Sequence, residues 1–534
     1  MATSGHPVAD TTAGRIVGDR IGPISVFRGI PYAQAPVGEL RFASPRPPEP
    51  WSGERDATLF AAPSLQDDAE ESGEDCLYAN VWTPDVHGRR PVLVYIHGGA
   101  WKVGSGSSGA YDGARFAERG DVVVVTFNYR LGVLGFGSHE QFEDSATGSF
   151  ANWGMQDQAA LLRWIRDNAA AFGGDPDQIV LGGTSAGGAN SWLLTLLPEM
   201  RRIVSRLVSI SACHVWAPAT ALTQDDARTV YQKLATDLGT SVTGLRDVPV
   251  AALTEGWDRI FAGPAGSRLV GSGREYRGPI VDGQWVAADG PAGPDLPTMV
   301  IHTDTEGSFY TGPFPTQPLE VVRPTTDAQL RDAIRVIMDK GMPDVGADLV
   351  GACIEHYRAA AAAQGRPTEP NWIWTEVWGD ALFRHGIMRR SQRQVRDGRG
   401  PVYLMEFAQP VSPPSFGTPH ESTSPFLFGT FTERERLHDT WRFPLDIEVF
   451  ALGPVATTVS NTFIDLVASF VRGDAPASAL APAWPEMNPD APTALVLGAH
   501  GEEGAVARVA PASKQRELGF WDEVGWGPDA VPPS

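Results

Sequence analysis

Residues Gln178 to Asn190, reading Gln-Ile-Val-Leu-Gly-Gly-Thr-Ser-Ala-Gly-Gly-Ala-Asn, constrain this chain more than any other stretch. A short apolar run, Ile179-Val180-Leu181, stops at glycines, and a helix-like segment running to Leu197 follows. Between them lies Gly183-Thr184-Ser185-Ala186-Gly187, a G-x-S-x-G pattern at a strand-to-helix turn. So tight a turn leaves no room for side chains two positions before and after the serine, which accounts for glycine at both. It would hold the Ser185 hydroxyl above a sheet edge, with a helix N-terminus beneath to favour negative charge developing there. In a chain with 58 glycines the pattern alone has little weight. The strand before it and the helix after it supply the context that a nucleophile elbow requires.

The surrounding pattern is that of a parallel sheet covered on both faces. Val92–Ile96 and Val122–Phe127 are near-continuous apolar runs, expected as buried strands. Met155, Leu161, Leu162, Ile165, Ala169 and Phe172 recur at helical spacing, and Gly173-Gly174 supplies a stop. The elbow strand comes next, giving a β-α-β order. Further strands are expected over Leu207–Ser211, Thr298–Thr303 and Val402–Phe407, and an amphipathic helix through Val459, Phe463, Leu466, Val467 and Phe470. Towards the N-terminus, Arg15–Val17 and Ile24–Phe27 read as short strands, and Glu74–Pro84 alternates like another. The proline-rich path from Pro36 to Trp51 reads as ordered coil, because Leu40, Phe42 and Trp51 need burial. Residues 1–12 read as a loose tail and the glycine-rich Gly263–Gly273 as the least structured stretch. The alanine run Ala359–Ala363 reads as a helix end closed by Gly365 and Pro367.

Length alone, at 534 residues, favours two domains. The net charge of 43 − 64 = −21 disfavours nucleic acid or an anionic membrane as partner. No run of 18 apolar residues appears, so no membrane-spanning helix is expected. The first ten residues have neither a basic nor an apolar leader region. Cys76, Cys213 and Cys353 are too few and too scattered for a disulfide framework or a metal site, so a cytoplasmic protein with reduced thiols is expected.

Several motifs together carry a resemblance. Phe27–Tyr32, Pro36–Phe42, Glu74–Pro84, His97-Gly-Gly-Ala-Trp101, Asn128-Tyr-Arg-Leu-Gly132 and Phe172-Gly-Gly-Asp-Pro176 resemble, in the same order, the type-B carboxylesterase family. That family includes bacterial esterases and the cholinesterases, and the likeness runs from about residue 13 to Asp522. It implies one α/β-hydrolase domain over residues 1–534. Its parts would be a central, mostly parallel twisted sheet with helices on both faces and a small N-terminal antiparallel sheet. The two-domain expectation gives way to that.

A serine hydroxyl is a poor nucleophile until a base takes its proton, and a third group must orient the base. In α/β-hydrolases the chain order is Ser, acid, His. Among the histidines, His420, His438 and His500 follow Ser185 and lie in loops beyond a late strand. The resemblance selects His420, set in Gly417-Thr-Pro-His420 and followed by Phe428-Gly429. The segment Thr298–Gly307 ends a strand with two acids, Asp304 and Glu306. The family uses the glutamate just before a glycine, which implies Glu306 with Asp304 as its rival. The backbone N–H groups of Gly99, Ala100 and Ala186 would form an oxyanion hole, and His97 would serve only loop structure. No H-E-x-x-H and no Cys/His cluster is present, so no metal or organic cofactor is expected. Trp101, Trp153, Trp216, Phe309, Phe416 and Phe426 stand near the motifs and are candidates to line an apolar acyl or alcohol pocket. Ser211 resembles the family's serine behind the triad.

Four departures bear on substrate. Family members carry Glu before the nucleophile and three residues after the catalytic histidine, where this chain has Thr184 and Thr423. Two coordinated threonines imply a less negative site and a weaker preference for cationic substrates. Cys76 matches half of a disulfide of secreted relatives, but Ser64 stands at the other half. The loop between them has no aromatic for cation–π contact, so a choline-ester specialist is not expected. The resemblance also implies buried pairs Arg41–Glu74 and Arg130–Asp175. The reading that results is a serine carboxylesterase of bacterial type, acting on small-molecule esters with apolar groups. An amidase or carbamate hydrolase on the same machinery is the nearest alternative. A non-catalytic adhesion relative, which would have lost the triad, fits less well.

Overall fold

In the computed structural model the described residues are 5–66, 72–212, 222–261, 278–287, 293–312, 322–342, 346–411, 417–431, 454–498 and 506–526. The strands in chain order are β1 (Val8–Asp10), β2 (Arg15–Val17), β3 (Asp19–Ile21), β4 (Ile24–Pro31), β5 (Glu54–Asp56), β6 (Tyr78–Thr83) and β7 (Arg90–Ile96). They continue with β8 (Val123–Phe127), β9 (Gly174–Thr184), β10 (Val204–Ile210), β11 (Thr298–Thr303), β12 (Val402–Phe407), β13 (Thr493–Leu497) and β14 (Ala507–Pro511). Eleven of them form one sheet in the order β14-β13-β12-β11-β10-β9-β7-β8-β6-β4-β3. The run from β13 to β8 is parallel throughout, and both margins turn antiparallel. This is the mostly parallel sheet that the apolar runs imply.

Both faces of that sheet are covered, and the central strands β7 and β8 are buried along nearly all of their length. In β7, Val92, Val94 and Ile96 enter one core while Leu93 and Tyr95 enter the other. The helix Trp153–Asn168 packs Met155, Leu161, Leu162 and Ile165 into the first core. The helix Pro454–Val471 packs Val459, Phe463, Leu466, Val467 and Phe470 into the second. By length and composition this helix of 18 residues is apolar enough to cross a membrane, but here two-thirds of it is buried within the protein.

Some expectations are corrected. Residues 8–10 are a strand rather than part of a loose tail, because β1 pairs antiparallel with β2. The small sheet is mixed, since β2 pairs parallel with β5. The strand expected over Leu207–Ser211 starts at Val204 and ends before Ser211. Arg130 pairs with Asp157 at 2.7 Å instead of Asp175, which pairs with Arg89 at 2.9 Å. The pair forms because Asp157 lies in the first turn and a half of the helix over the sheet, within reach of Arg130 Nε, Nη2 and backbone N–H. Arg41 and Glu74 pair as implied, with two bonds of 2.6 Å. Gly263–Gly273 lies outside the described residues.

Candidate active site

The elbow is built from backbone contacts that exclude side chains. A Cβ on Gly183 would stand 2.5 Å from the Gly187 carbonyl oxygen, and one on Gly187 2.1 Å from that of Ile96. Ser185 sits between them at φ 56°, ψ −122°, a region that residues with a Cβ rarely adopt. Its backbone N–H donates to Ile210 O at 2.9 Å, which ties the turn to the end of β10. The helix Ala186–Leu196 starts at the next residue, so the Ala186 N–H is one of those a helix leaves without an intrahelical acceptor.

Two loops from distant strands close on this serine. The turn after β11 carries Glu306 and the segment beyond β12 carries His420. The two are joined by Thr418 N–H to Thr305 Oγ1 at 2.7 Å and His420 N–H to Glu306 O at 3.4 Å. The result is a connected line of side chains. His420 Nε2 lies 2.8 Å from Ser185 Oγ, and His420 Nδ1 lies 2.6 Å from Glu306 Oε2. The second Glu306 oxygen accepts from Ser211 Oγ at 2.6 Å and from the Thr303 N–H at 2.8 Å. Burial would raise the Glu306 carboxyl, but the His420 charge and these hydrogen bonds outweigh it and hold it at about 2. Asp304, the rival acid, points elsewhere and pairs with Arg366 at 3.2 Å. His438 and His500 lie outside the described residues.

Rings enclose the imidazole. Phe383 lies 4.4 Å from His420, and Phe309 and Tyr310 each lie 5.8 Å away. Phe383 belongs to a π-helical turn, Asp380–Arg384, inserted between two α-helices. From the same turn Arg384 donates to the carbonyls of Thr303 and Asp304, at 2.7 and 2.9 Å, on the segment that leads to Glu306. Nothing in the local sequence marks Phe383, Tyr310 or Arg384, since they meet the site only through packing.

The expected oxyanion residues lie on a turn after β7. Gly99, Ala100 and Trp101 all have positive φ, at 116°, 52° and 58°. The N–H groups of Lys102 and Val103 both return to Gly99 O at 3.0 Å. A Cβ on Gly99 would meet Val103 O at 1.9 Å, so that position admits only glycine, whereas Ala100 is tolerated. His97 stacks on Tyr129 at 4.5 Å, and burial lowers its imidazole to about 4, in keeping with a loop role.

The pocket candidates divide. Phe309 is beside His420, as above. Trp101 is buried, and its indole N–H donates to Asn190 Oδ1 at 2.8 Å. Trp153 is not a pocket residue: it packs with Phe42, Phe142 and Tyr231 in a separate core. Phe426 is also core, stacked on Phe431 at 4.9 Å and against Phe407 at 5.3 Å. Trp216 and Phe416 lie outside the described residues. Lys102, one position past the turn at 99–101, lines a small surface cleft with Leu65, Gln66, Leu131, Leu134, Trp257 and Asp258.

Thr184 and Thr423 are both fully buried, but the surroundings of Thr184 are not neutral. Glu421, one residue past His420, puts its carboxyl there. Burial raises that carboxyl to about 7, with His420 opposing and Glu306 adding to the rise. The signal was present in the sequence as a glutamate beside His420 in a chain lacking both usual ones. Cys76 is a free buried thiol beside the Ser64 hydroxyl, and burial pushes it up to about 12. Among the described residues no group of His, Cys, Asp or Glu is arranged to hold a metal.

Comparisons with known proteins agree with this architecture. The model of the carboxylesterase family matches residues 5–521. The chain is 32% identical to the phenmedipham hydrolase of Pseudarthrobacter oxydans, over 94% of this chain and 97% of that one. It is 40% identical to the para-nitrobenzyl esterase of Bacillus subtilis over 213 residues, 38% of this chain and 43% of the relative. Among solved structures, the Geobacillus stearothermophilus carboxylesterase superposes with a TM-score of 0.75 at 30% identity, covering 96% of this chain and all of that one. With this α/β-hydrolase fold and a family match that spans nearly its whole length, the chain belongs to the carboxylesterase family and is a carboxylic ester hydrolase.

Proposed function

We propose that this protein hydrolyses small-molecule carboxylic esters through an acyl-enzyme on Ser185, with His420 as base and Glu306 as the acid that orients it. The observation that carries this reading is the continuous line Ser185–His420–Glu306, at 2.8 and 2.6 Å, assembled from three separate loops. Ser185 Oγ attacks the ester carbonyl as its proton passes to His420 Nε2, which then delivers it to the departing alcohol. His420 next takes a proton from water, and the hydroxide formed releases the acid and regenerates Ser185. Glu306 remains a carboxylate and offsets the imidazolium charge in both halves. The N–H groups of Gly99, Ala100 and Ala186 would stabilise the oxyanion.

The test is hydrolysis of p-nitrophenyl acetate, butyrate and octanoate by the wild type and by Ser185→Ala. The expected result is turnover that falls by roughly 10⁴-fold or more in the variant. Undiminished turnover would remove Ser185 from the mechanism. An amide or carbamate substrate on the same triad is the second reading. The similarity to a phenmedipham hydrolase favours including phenmedipham itself, beside a matched ester, anilide and carbamate.

A further inference from the structure

Glu421 is a buried carboxyl that the scheme above does not use. It follows His420 directly and takes φ 70°, a conformation uncommon for a residue with a side chain. Its side chain lies inside the site, 3% exposed, with Oε1 3.9 Å from His420 Nε2, the nitrogen that faces Ser185. A Cβ added at Gly98 would stand 2.3 Å from the same oxygen, so the carboxyl packs against the start of the oxyanion turn. Oε2 accepts a long bond from Ser424 Oγ at 3.4 Å, and the Thr184 hydroxyl also favours the charged form of the carboxyl. Oε1 has no hydrogen-bond partner of normal geometry among the described residues.

The titratable and polar neighbours come from every element around it. His420 and Glu306 come from the two late loops, and Thr184 from the elbow. Tyr95 comes from β7, Tyr111 from the turn Gly109–Tyr111, and Ser424 from the helix Thr423–Phe428. The strongest charge effects on the carboxyl are those of His420, which favours its ionised form, and Glu306, which opposes it. A carboxyl kept for architecture alone is normally satisfied by donors on both oxygens. This one instead has an imidazole edge as its nearest source of positive charge, at the nitrogen that becomes charged during turnover.

We propose that Glu421 is a positioning residue for ester hydrolysis, its carboxylate stabilising the imidazolium that His420 becomes each time it accepts a proton. The inference rests on the assignment of His420 as base. The imidazole then stands between two carboxylates, Glu306 on its Nδ1 side and Glu421 on its Nε2 side. The transferred proton moves from Ser185 Oγ, or from water, to His420 Nε2 and on to the leaving oxygen. Glu421 gives no proton to substrate. Its own proton exchanges with solvent before turnover, so the enzyme reaches full rate only once that proton has left.

The experiment is the pH profile of kcat/KM and kcat on p-nitrophenyl butyrate, from about pH 5 to about pH 9, for the wild type, Glu421→Gln and Thr184→Val. The burst of p-nitrophenolate is counted in each preparation. An opposite charge at this distance is worth about one pH unit, or about ten-fold. Glu421→Gln should keep its burst, lose about ten-fold in plateau kcat, and move its acid limb down by about one unit. Thr184→Val removes a hydroxyl that favours the charged carboxyl, and should move the acid limb the other way. A Glu421→Gln enzyme with full burst, wild-type plateau and an unmoved limb overturns the proposal. Should Glu421→Gln not fold, an unmoved limb in Thr184→Val overturns it. Loss of the burst in Ser185→Ala stands apart and tests the assignment of the nucleophile.

Discussion

His420 lies between two buried carboxyls whose surroundings move their protons in opposite directions. Glu306 is held at about 2, below its ordinary 4.5, so its stabilisation is present above that ordinary value and disappears as pH falls towards 2. We expect acid unfolding between these values to cost roughly 3 kcal/mol from this group, measured as the wild type's loss relative to Glu306→Gln. Glu421 runs the other way. It is raised to about 7, so the fold favours its protonated form below 4.5 and loses that contribution as pH rises through 7. Glu421→Gln should therefore be more stable than the wild type at about pH 8, by roughly 2–3 kcal/mol, and no more stable at about pH 4.5. Denaturant midpoints at the two pH values check this. Most of the candidate triad was legible from residues and spacing, because glycines and a strand end mark its local geometry. The role of Glu421 was not, since its charge depends on how far Thr184, Ser424 and His420 lie from it in space.

The elbow shows what one element demands of its sequence. Ser185 keeps a strained conformation only because backbone on all sides over-determines it, and Gly187 stands where Ile96 O and His97 O leave no room for a Cβ. Gly187→Ala should destabilise the protein by roughly 3–5 kcal/mol and remove the burst, seen as a lowered denaturant midpoint and lost p-nitrophenolate release. Strand positions were readable because two covered faces favour short, mostly apolar runs, and β11 and β12 fall at their expected bounds. The π-helical turn Asp380–Arg384 was not readable. It differs from an α-helix by one hydrogen-bond step, which no spacing of apolar residues records.

Across the molecule, ion pairs join segments far apart in the chain. Arg41 binds Glu74 and also donates to the carbonyls of Leu245 and Val248, at 3.1 and 2.6 Å. Removing it would leave a mostly buried carboxylate and two carbonyls without their donor, so Arg41→Ala should cost about 3–5 kcal/mol in urea unfolding. The described thiols, Cys76 and Cys353, are both buried and raised, so thiol reagents should label neither until the protein unfolds. The sequence by itself determined the strand-elbow-helix, the apolar strands and the family, because these are carried by short segments whose residues lie a few positions apart. The tertiary structure alone decided that Arg130 meets Asp157, that Trp153 and Phe426 are core, and that a second carboxyl, Glu421, lies beside His420. Each of those depends on which loops of a closed sheet edge come within a few ångströms, and short-range spacing carries no record of that distance.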